Sequence, residues 1–447
     1  MSDTPNPAAT PTTSPTPQAT ALSQPEAAPA ASTRTPVTAK YITFLLLAMF
    51  GAFAALVAPI GISLSLRIQE LAPANVEVLG YVIGIGALVT TLTGPLLGLW
   101  SDRTRSRFGR RRPFALGGAL VGLVGLGLVA AAGAVPMLAV GWVVAAVGWS
   151  CSMNSLVQSQ ADRLPESQYG RVAGMTGFVQ MVAPVVGVGL ASAFIGNNYL
   201  VFLVPGTFGL VTLACWFIFV PELDTRDAEV GGRLSLGQVA AGLVFNPRRY
   251  PDFAWNWLAR LLFMTGVTFT TTFTSLFFAS RLSAGGQVAD IGGIIVVLSL
   301  VSLVVTGVGA LAGGFLSDKI GRRKIFVFAS GIVYTAGALT LAFGGSNFAL
   351  LLVGSGLTGL ALGVFSSVDQ ALLLNVLPEK DTEAGRFLGI NGYSTSLAQA
   401  FAPLLAAPLI LIGVSGAEKN YGLLFLVASV LTILAGVIVQ WKVRSVR

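Results

Sequence analysis

The chain has 447 residues, of which 54% are hydrophobic and 10% are charged, and its mean hydropathy is +0.78. This composition excludes an ordinary soluble domain, in which about a quarter of the residues are charged, and indicates a membrane protein. The formal net charge is +8, but the orientation of membrane helices is sufficient to explain it, so we expect no nucleic-acid partner.

The first forty residues differ from the rest of the chain. They consist mainly of Pro, Ala, Thr and Ser, with almost no large apolar side chain, and such a segment cannot bury enough surface to fold. We therefore predict a disordered cytoplasmic tail over residues 1–40. Because the tail has no apolar core of its own, it does not read as a cleaved signal peptide, and the first membrane helix is expected to direct insertion.

Apolar segments follow one another along the remainder of the chain. Each is roughly 20 residues long, which is the length of a helix that crosses about 30 Å of hydrocarbon. A β-barrel is excluded because runs such as VGLVGLGLVAAAGAV do not alternate between apolar and polar residues. The predicted fold is therefore an all-α membrane protein, with twelve transmembrane helices at residues 41–66, 77–100, 114–132, 136–160, 172–195, 200–220, 253–280, 288–315, 325–343, 347–375, 386–413 and 421–441.

Basic residues predict the orientation, because cytoplasmic loops retain Lys and Arg. The chain has 27 such residues. With the N-terminus inside, only Arg67, Arg281 and Lys419 fall outside and Arg260 falls within a helix, which leaves 23 on the cytoplasmic side. The skew predicts that both termini are cytoplasmic, and it accounts for most of the positive charge.

The chain repeats itself. GPLLGLWSDRTRSRFGRRRPF (94–114) returns as ALAGGFLSDKIGRRKIF (310–326), and ADRLPESQYGRVAGMTG (161–177) returns as LNVLPEKDTEAGRFLGING (374–392). The helices therefore form two pseudo-symmetric six-helix bundles, residues 41–220 and 253–447, joined by a polar cytoplasmic linker at 221–252. Transporters built from parallel repeats of this kind bind their substrate between the halves at mid-membrane.

These motifs resemble the major facilitator superfamily over residues 41–445. The first loop, SDRTRSRFGRRRPF, is four residues longer than its copy and is similar to the loop of sucrose-type proton symporters and related glycoside and pentoside symporters. The resemblance implies that helices one, four, seven and ten line a central cavity. It also implies a gating role for the loop residues Gly98, Asp102, Arg103, Gly109, Arg110 and Arg111, and for Gly314, Asp318, Gly321, Arg322 and Arg323 in the copy.

Physical chemistry explains the composition of the two motifs. Small residues four apart, such as Gly94 and Gly98, allow helices to approach closely in lipid. Asp102 and Asp318 fall at the cytoplasmic ends of helices, where they can bind exposed helix N–H groups and pair with arginine. Such contacts could hold the halves together in one state and break in the other. The alternative is an ordinary basic loop with capped helix ends.

Two charged residues fall well inside predicted helices, where a charge is costly and faces a cavity or a partner. Arg260 lies eight residues after Asp252, and Asp369 lies eight residues before Leu377, so both lie about 12 Å from the cytoplasmic ends of their helices. We predict an ion pair whose aspartate can be protonated, so that the pair couples transport to protons. A static structural pair is the alternative. Sodium coupling is less favoured, because several convergent oxygen ligands are not evident.

Uncharged polar residues in the helices are candidates for substrate binding. Amides and aromatic rings suit a sugar, which offers hydroxyl groups and an apolar face. The same side chains could instead hold helices together, and Trp255 and Trp257 fit an interfacial belt. The candidates are Asn154, Gln158, Gln180, Gln370, Asn391, Tyr393 and Gln399, together with the threonine-rich run from Thr265 to Thr274.

The predicted function is proton-coupled uptake of a sugar or glycoside across a bacterial inner membrane. The chain has no histidine, and both cysteines fall inside predicted helices, so we expect no metal, no cofactor and no enzymatic activity. A proton-coupled exporter of lipophilic compounds is the main alternative, although helix four lacks the Arg-x-x-Gln-Gly motif of exporters. A non-transporting receptor or scaffold is the other alternative.

Overall fold

The computed structural model describes residues 36–221, 226, 244–284, 291–379, 383–414 and 419–444. Most of the predicted tail and of the predicted linker lies outside these residues. The described helices confirm the all-α prediction, and no strand occurs among them. They are α1 (Ala39–Leu71), α2 (Val78–Arg103), α3 (Arg112–Ala130), α4 (Val135–Arg163), α5 (Glu166–Ser192), α6 (Leu200–Phe219), α7 (Pro251–Ala284), α8 (Ile291–Ile320), α9 (Arg323–Phe343), α10 (Phe348–Val376), α11 (Ala384–Leu409) and α12 (Tyr421–Lys442).

Among the described helices, 11 are long and apolar enough to cross a membrane. The remaining described helix, α11, is 26 residues long but is less apolar than the other eleven. Its sequence carries Arg386, Asn391 and Gln399 among several serines and threonines. A helix of this kind needs neighbours that shield its polar side chains from lipid, and α11 packs against both α2 and α7.

Most helix ends differ from their predicted bounds by a few residues, and α5 and α1 show the reasons. The prediction started α5 at residue 172, but the helix begins at Glu166, directly after an extended Pro165, because the polar turn before the apolar run is also helical. The prediction ended α1 at residue 66, but the helix reaches Leu71. Within it, Pro59 opens a π-helical turn that ends at Ser63, as is typical where proline removes a backbone donor from a helix.

The helices pack mainly within each half. In the first half α1 packs on α4, α5 and α6, and α3 packs on α4; in the second half α12 packs on α7 and α9, and α10 packs on α8 and α9. Contacts between the halves are made chiefly by α2 with α11 and by α5 with α8. We call the end of the bundle at which α1 begins and α2 ends the basic face, and the other end the opposite face.

The two halves are joined tightly at the opposite face. Lys419 Nζ pairs with Glu77 Oε2 at 2.8 Å, and the side chains are only 5% and 12% exposed. Ser275 Oγ lies 2.9 Å from Ser65 Oγ across the same interface. At the start of α2, a Cβ on Gly80 would collide with the backbone of α11. In contrast, the ion pairs between described side chains at the basic face all join residues of one half.

Candidate functional site

The loop between α2 and α3 is organised around Arg111, whose side chain is 5% exposed. Its Nη2 pairs with Asp102 Oδ1 at 2.5 Å, and its Nε pairs with Asp162 Oδ2 at 2.9 Å. Its Nη1 donates to Gln158 Oε1 at 2.7 Å. Arg110 also pairs with Asp162, at 3.1 Å. One buried guanidinium group therefore ties the ends of α2, α3 and α4 together at the basic face.

The copy of this loop, between α8 and α9, is organised in the same way around Arg323. Its Nη2 pairs with Asp318 Oδ1 at 2.8 Å, and its Nη1 donates to the Ala371 carbonyl oxygen on α10 at 2.9 Å. The expected pairing of Asp102 and Asp318 with arginine is therefore present in the structure. Arg103 and Arg322 are exposed.

A glycine precedes the arginines in both loops. Gly109 has a φ of 83° and Gly321 has a φ of 68°, a left-handed conformation that is costly for residues with a Cβ. A Cβ on Gly321 would meet no atom within 4 Å, so the backbone alone accounts for the glycine there. The motif glycines Gly98 and Gly314 lie instead on helices that face α4 and α10.

Gln158, predicted to bind substrate, instead contacts Arg111, which was predicted to serve gating. The proline motifs of the two halves align at an offset of 213 residues, and this offset places Ala371 over Gln158. Arg111 and Arg323 therefore make matching contacts to α4 and α10, one through a side chain and the other through a carbonyl oxygen. Asn154, one turn away, is exposed, and a Cβ on Gly94 would lie 3.7 Å from its amide nitrogen.

The structure brings Arg260 and Asp369 together as an ion pair between α7 and α10. The Asp369 side chain is 1% exposed and that of Arg260 is 18% exposed. Arg260 Nε also donates to Thr395 Oγ1 on α11 at 3.2 Å. Arg260 thus links α7 to both α10 and α11, and the Asp369 carboxylate accepts a charge-assisted hydrogen bond from the guanidinium.

Two aromatic rings cover the ion pair on the side of the opposite face. Phe263 and Phe365 stack with a centroid distance of 3.6 Å and an angle of 3° between the rings, and both are fully buried. Phe263 also packs edge-on against Tyr334 at 5.7 Å, whose hydroxyl lies 2.6 Å from Thr270 Oγ1. Three layers therefore follow one another along α7. The first is the ion pair of Arg260, the second is the stacked ring of Phe263, and the third is the pair of hydroxyl groups of Thr270 and Tyr334.

Beyond this second polar layer lies a cavity of about 470 Å³ between α5 of the first half and helices of the second half. Its described lining contains no charged side chain, but it is rich in hydroxyl groups and in phenylalanine. Arg260 and Asp369 are not part of that lining. The polar groups that line it are Gln180, Thr270, Thr271, Thr274, Ser299, Ser302, Thr306, Tyr334, Ser355 and Thr358.

Of the predicted substrate-binding residues, Gln180 and three threonines of the predicted run, Thr270, Thr271 and Thr274, line this cavity in the described structure. Gln370 and Gln399 are exposed, Tyr393 is half-buried and Asn391 is buried. Trp255 and Trp257, predicted to form an interfacial belt, each contact a neighbouring helix. Trp257 Nε1 donates to the Ile390 carbonyl oxygen at 2.9 Å, and the ring of Trp255 lies under Lys442 Nζ.

Sequence reasoning missed most of the cavity's hydroxyl groups. Ser299, Ser302 and Thr306 are spaced by three and four residues on α8, so they share one face of a helix that is otherwise apolar. That spacing was the available signal. Ser355 and Thr358 repeat it on α10. On α9, Tyr334 lines the cavity, whereas the other uncharged polar residues of that helix, Ser330, Thr335 and Thr340, do not.

A second cavity, of about 530 Å³, opens at the basic face between the start of α7 and the loop that precedes α11. Arg249 pairs with Glu379 at 3.0 Å, and the Tyr250 hydroxyl donates to the same carboxylate. That hydrogen bond raises the pKa of the Tyr250 phenol above its ordinary value. The described residues contain no group of three His, Cys, Asp or Glu that could hold a metal ion.

Comparison with known proteins identifies relatives of the chain. A family profile described as the Major Facilitator Superfamily matches residues 41–310 and 285–446. The chain is 30% identical over 127 residues to the minor myo-inositol transporter IolF of Bacillus subtilis (strain 168), a match that covers 28% of each protein. It is 56% identical over 45 residues to the proton-associated sugar transporter A of Homo sapiens, which covers 10% of this chain and 6% of that protein.

A solved structure extends the likeness to the whole fold. The D-xylose-proton symporter matches with a TM-score of 0.68 and 14% identity, over 91% of this chain and 97% of that one. The two sequence matches span less than a third of the length of either relative. They therefore establish relationship, and the structural match establishes the arrangement of the helices.

Proposed function

Because the chain belongs to the major facilitator superfamily, we propose that it is a secondary active transporter that takes up a sugar or glycoside together with protons by alternating access. The observation that carries this proposal is the cavity of about 470 Å³ between the halves. Its size is typical of small-molecule sites. Its hydroxyl groups and phenylalanine rings suit a neutral polyol, and its described lining offers no counter-charge for an ionic substrate.

The names of three of the similar proteins support the same class. The relatives include transporters named for myo-inositol and for proton-associated sugar transport, and the matching fold includes a D-xylose-proton symporter. All three names refer to polyhydroxylated solutes that carry no charge. We propose that the present chain shares this substrate class, with Gln180, Thr270 and Tyr334 among the groups that bind the hydroxyls.

Asp369 is the proposed coupling residue. In the described state it is paired with Arg260, and the guanidinium favours the ionised acid. Burial favours the protonated acid, which needs no counter-charge. A movement of α7 against α10 that separates the pair would therefore favour uptake of a proton, and re-formation of the pair would favour its release.

Alternating access is proposed to proceed by rocking of the two halves. The described state is held closed at the opposite face by Lys419 and Glu77, while the described ion pairs of the basic face stay within each half. In this proposal the basic face lies in the cytoplasm, as the bias of arginine and lysine favours, and the membrane is a bacterial inner membrane. The described state is then the one that is closed towards the outside.

The test is solute accumulation in vesicles that contain the purified protein. An imposed proton gradient should drive accumulation of at least one sugar, polyol or glycoside from a panel, and a protonophore that collapses the gradient should abolish the accumulation. Lipophilic cations serve as the contrasting substrates. Proton-driven movement of the cations with no response to any polyol would overturn the uptake proposal in favour of an exporter.

A further inference from the structure

Two buried amides lie beside the ion pair without hydrogen-bond partners. Asn256 on α7 has no exposed surface, and neither its Oδ1 nor its Nδ2 has a partner among the described residues. Asn391 on α11 is 3% exposed, and its Oδ1 likewise has no partner in the described part of the chain. Buried amides are otherwise satisfied in folded proteins, commonly by ordered water.

Both amides lie on the basic-face side of Asp369. Asn256 precedes Arg260 by four residues, and Asn391 precedes Thr395 by four residues, so each lies one helical turn closer to that face. The residues one turn further on are in contact, because Arg260 donates to Thr395 as well as to Asp369. The Trp257–Ile390 hydrogen bond holds α7 and α11 together at the level of the amides.

Apolar layers close this region at both ends. Towards the basic face, the rings of Phe253 and Phe387 meet edge-on at 5.3 Å, and both are 1% exposed. They form one cluster with Leu373, Leu377 and Ile390. Towards the sugar cavity, the stacked Phe263 and Phe365 lie between Asp369 and Tyr334. The amides and the acid therefore lie in one polar region, which we call the chamber, and the stacked rings separate it from the cavity.

We propose that Asn256 and Asn391 hold water molecules that carry the proton from Asp369 to the basic face, by a route that does not pass through the sugar cavity. This inference rests on the proposed proton coupling. The proton leaves the Asp369 carboxyl oxygen for the chamber water, which passes a proton to bulk water when the Phe253–Phe387 layer opens. The carboxylate that remains re-forms its pair with Arg260.

The charged groups on the surrounding helices fit this direction of transfer. Arg260 on α7 faces the acid, and Asp318 on α8 is paired with Arg323 on α9, which donates to Ala371 two residues from Asp369 on α10. On α11, Asn391 and Thr395 are uncharged, and Arg386, next to Phe387, pairs with Glu383 at the basic face. Because the described residues contain no second acid beside Asp369, water is the acceptor that the chamber can offer.

The experiment compares Asn256→Leu with Asn256→Ser in proteoliposomes, with the full chain and an imposed proton gradient. Leucine fills the position with an apolar group, whereas serine leaves room and a hydroxyl for water. Asn256→Leu and Asn391→Leu should each lower net proton-driven uptake about tenfold or more, with sugar affinity within about twofold of the wild type. Asn256→Ser should recover most of the rate.

Thr432→Val is the matched control, since it removes a buried hydroxyl that bonds only to carbonyl oxygens of its own helix α12 in the described structure. It should leave uptake unchanged. Wild-type rates in both leucine variants, or an equal loss of sugar affinity and uptake, would overturn the release route alone. A wild-type protein that moves sugar without protons would overturn the proposed function and, with it, this route.

Discussion

Asp369 on α10 stands at the position that the sequence repeat assigns to Leu156 on α4, and both side chains are buried. The first half of the molecule fills this position with an apolar side chain that needs no partner. The fold therefore does not require an acid there, and the second half has to supply Arg260 to accommodate it. A costly departure from the repeat is expected where a residue serves function rather than packing.

Stability measurements separate the two partners of the pair. Arg260→Met should lower the free energy of unfolding by roughly 3 kcal/mol, because it leaves the buried Asp369 without a counter-charge. The double variant Arg260→Met/Asp369→Leu should recover most of that loss, since the pair is replaced by apolar groups, yet it should show no proton-driven uptake. Thermal unfolding in detergent and vesicle uptake measure the two effects. A double variant less stable than Arg260→Met would indicate a structural pair.

Tyr334 lines the cavity, and in our proposal its hydroxyl contacts the substrate. Tyr334→Phe removes the hydroxyl that lies 2.6 Å from Thr270 Oγ1 and should weaken sugar binding roughly five- to tenfold, the loss typical of one hydrogen bond. Thr265→Val is the control, because its hydroxyl bonds to its own helix at Leu261 and does not line the cavity. Calorimetric titration with the transported sugar measures both. Equal affinity in Tyr334→Phe and wild type would place the substrate elsewhere.

The positive φ of Gly321 predicts opposite effects for two glycine substitutions. Gly321→Ala should destabilise the protein by about 1 kcal/mol, because alanine is strained in the left-handed conformation. Gly117→Ala, inside helix α3 and with open space around its Cβ, should be neutral or stabilise by roughly 0.5–1 kcal/mol. Thermal unfolding of both variants provides the comparison. A destabilised Gly117→Ala together with a normal Gly321→Ala would contradict the loop geometry.

The Lys419–Glu77 pair is expected to favour the state that is closed at the opposite face. Lys419→Gln should raise the labelling rate of a cysteine introduced at the buried Ser65 roughly fivefold or more, a shift typical of conformational coupling. The reagent is a membrane-impermeant maleimide, and Cys151 and Cys215 are first replaced by alanine. Lys419→Arg retains the charge and should label as slowly as the parent. Unchanged labelling in Lys419→Gln would show that the helix contacts alone close this face.

The sequence predicted two kinds of feature: motifs that occur in both halves, and charged residues whose burial in a membrane helix is energetically costly. The alignment of Asp102 with Asp318 and the mean hydropathy predicted two six-helix bundles, because a duplicated chain folds the same way twice. Arg260 and Asp369 could be paired from their matched depths, since a lone charge in a membrane helix needs a partner.

The sequence could not predict which face of a helix its neutral polar residues occupy in the assembled protein. Gln158 was assigned to substrate but contacts Arg111. Tyr334 carried no signal and yet lines the cavity. Uncharged amides and hydroxyls cost little in many environments, so their positions depend on how helices of both halves pack, which local patterns do not determine.

The central claim is that this chain couples sugar movement to protons through Asp369. The most direct test is the external pH of lightly buffered vesicles in which the basic face is internal, recorded as sugars, polyols and glycosides are added in turn to wild-type and Asp369→Asn protein. The account predicts external alkalinisation with at least one of these solutes in the wild type and none in the variant. Sugar accumulation without any pH change in the wild type, or an unchanged response in Asp369→Asn, would contradict it.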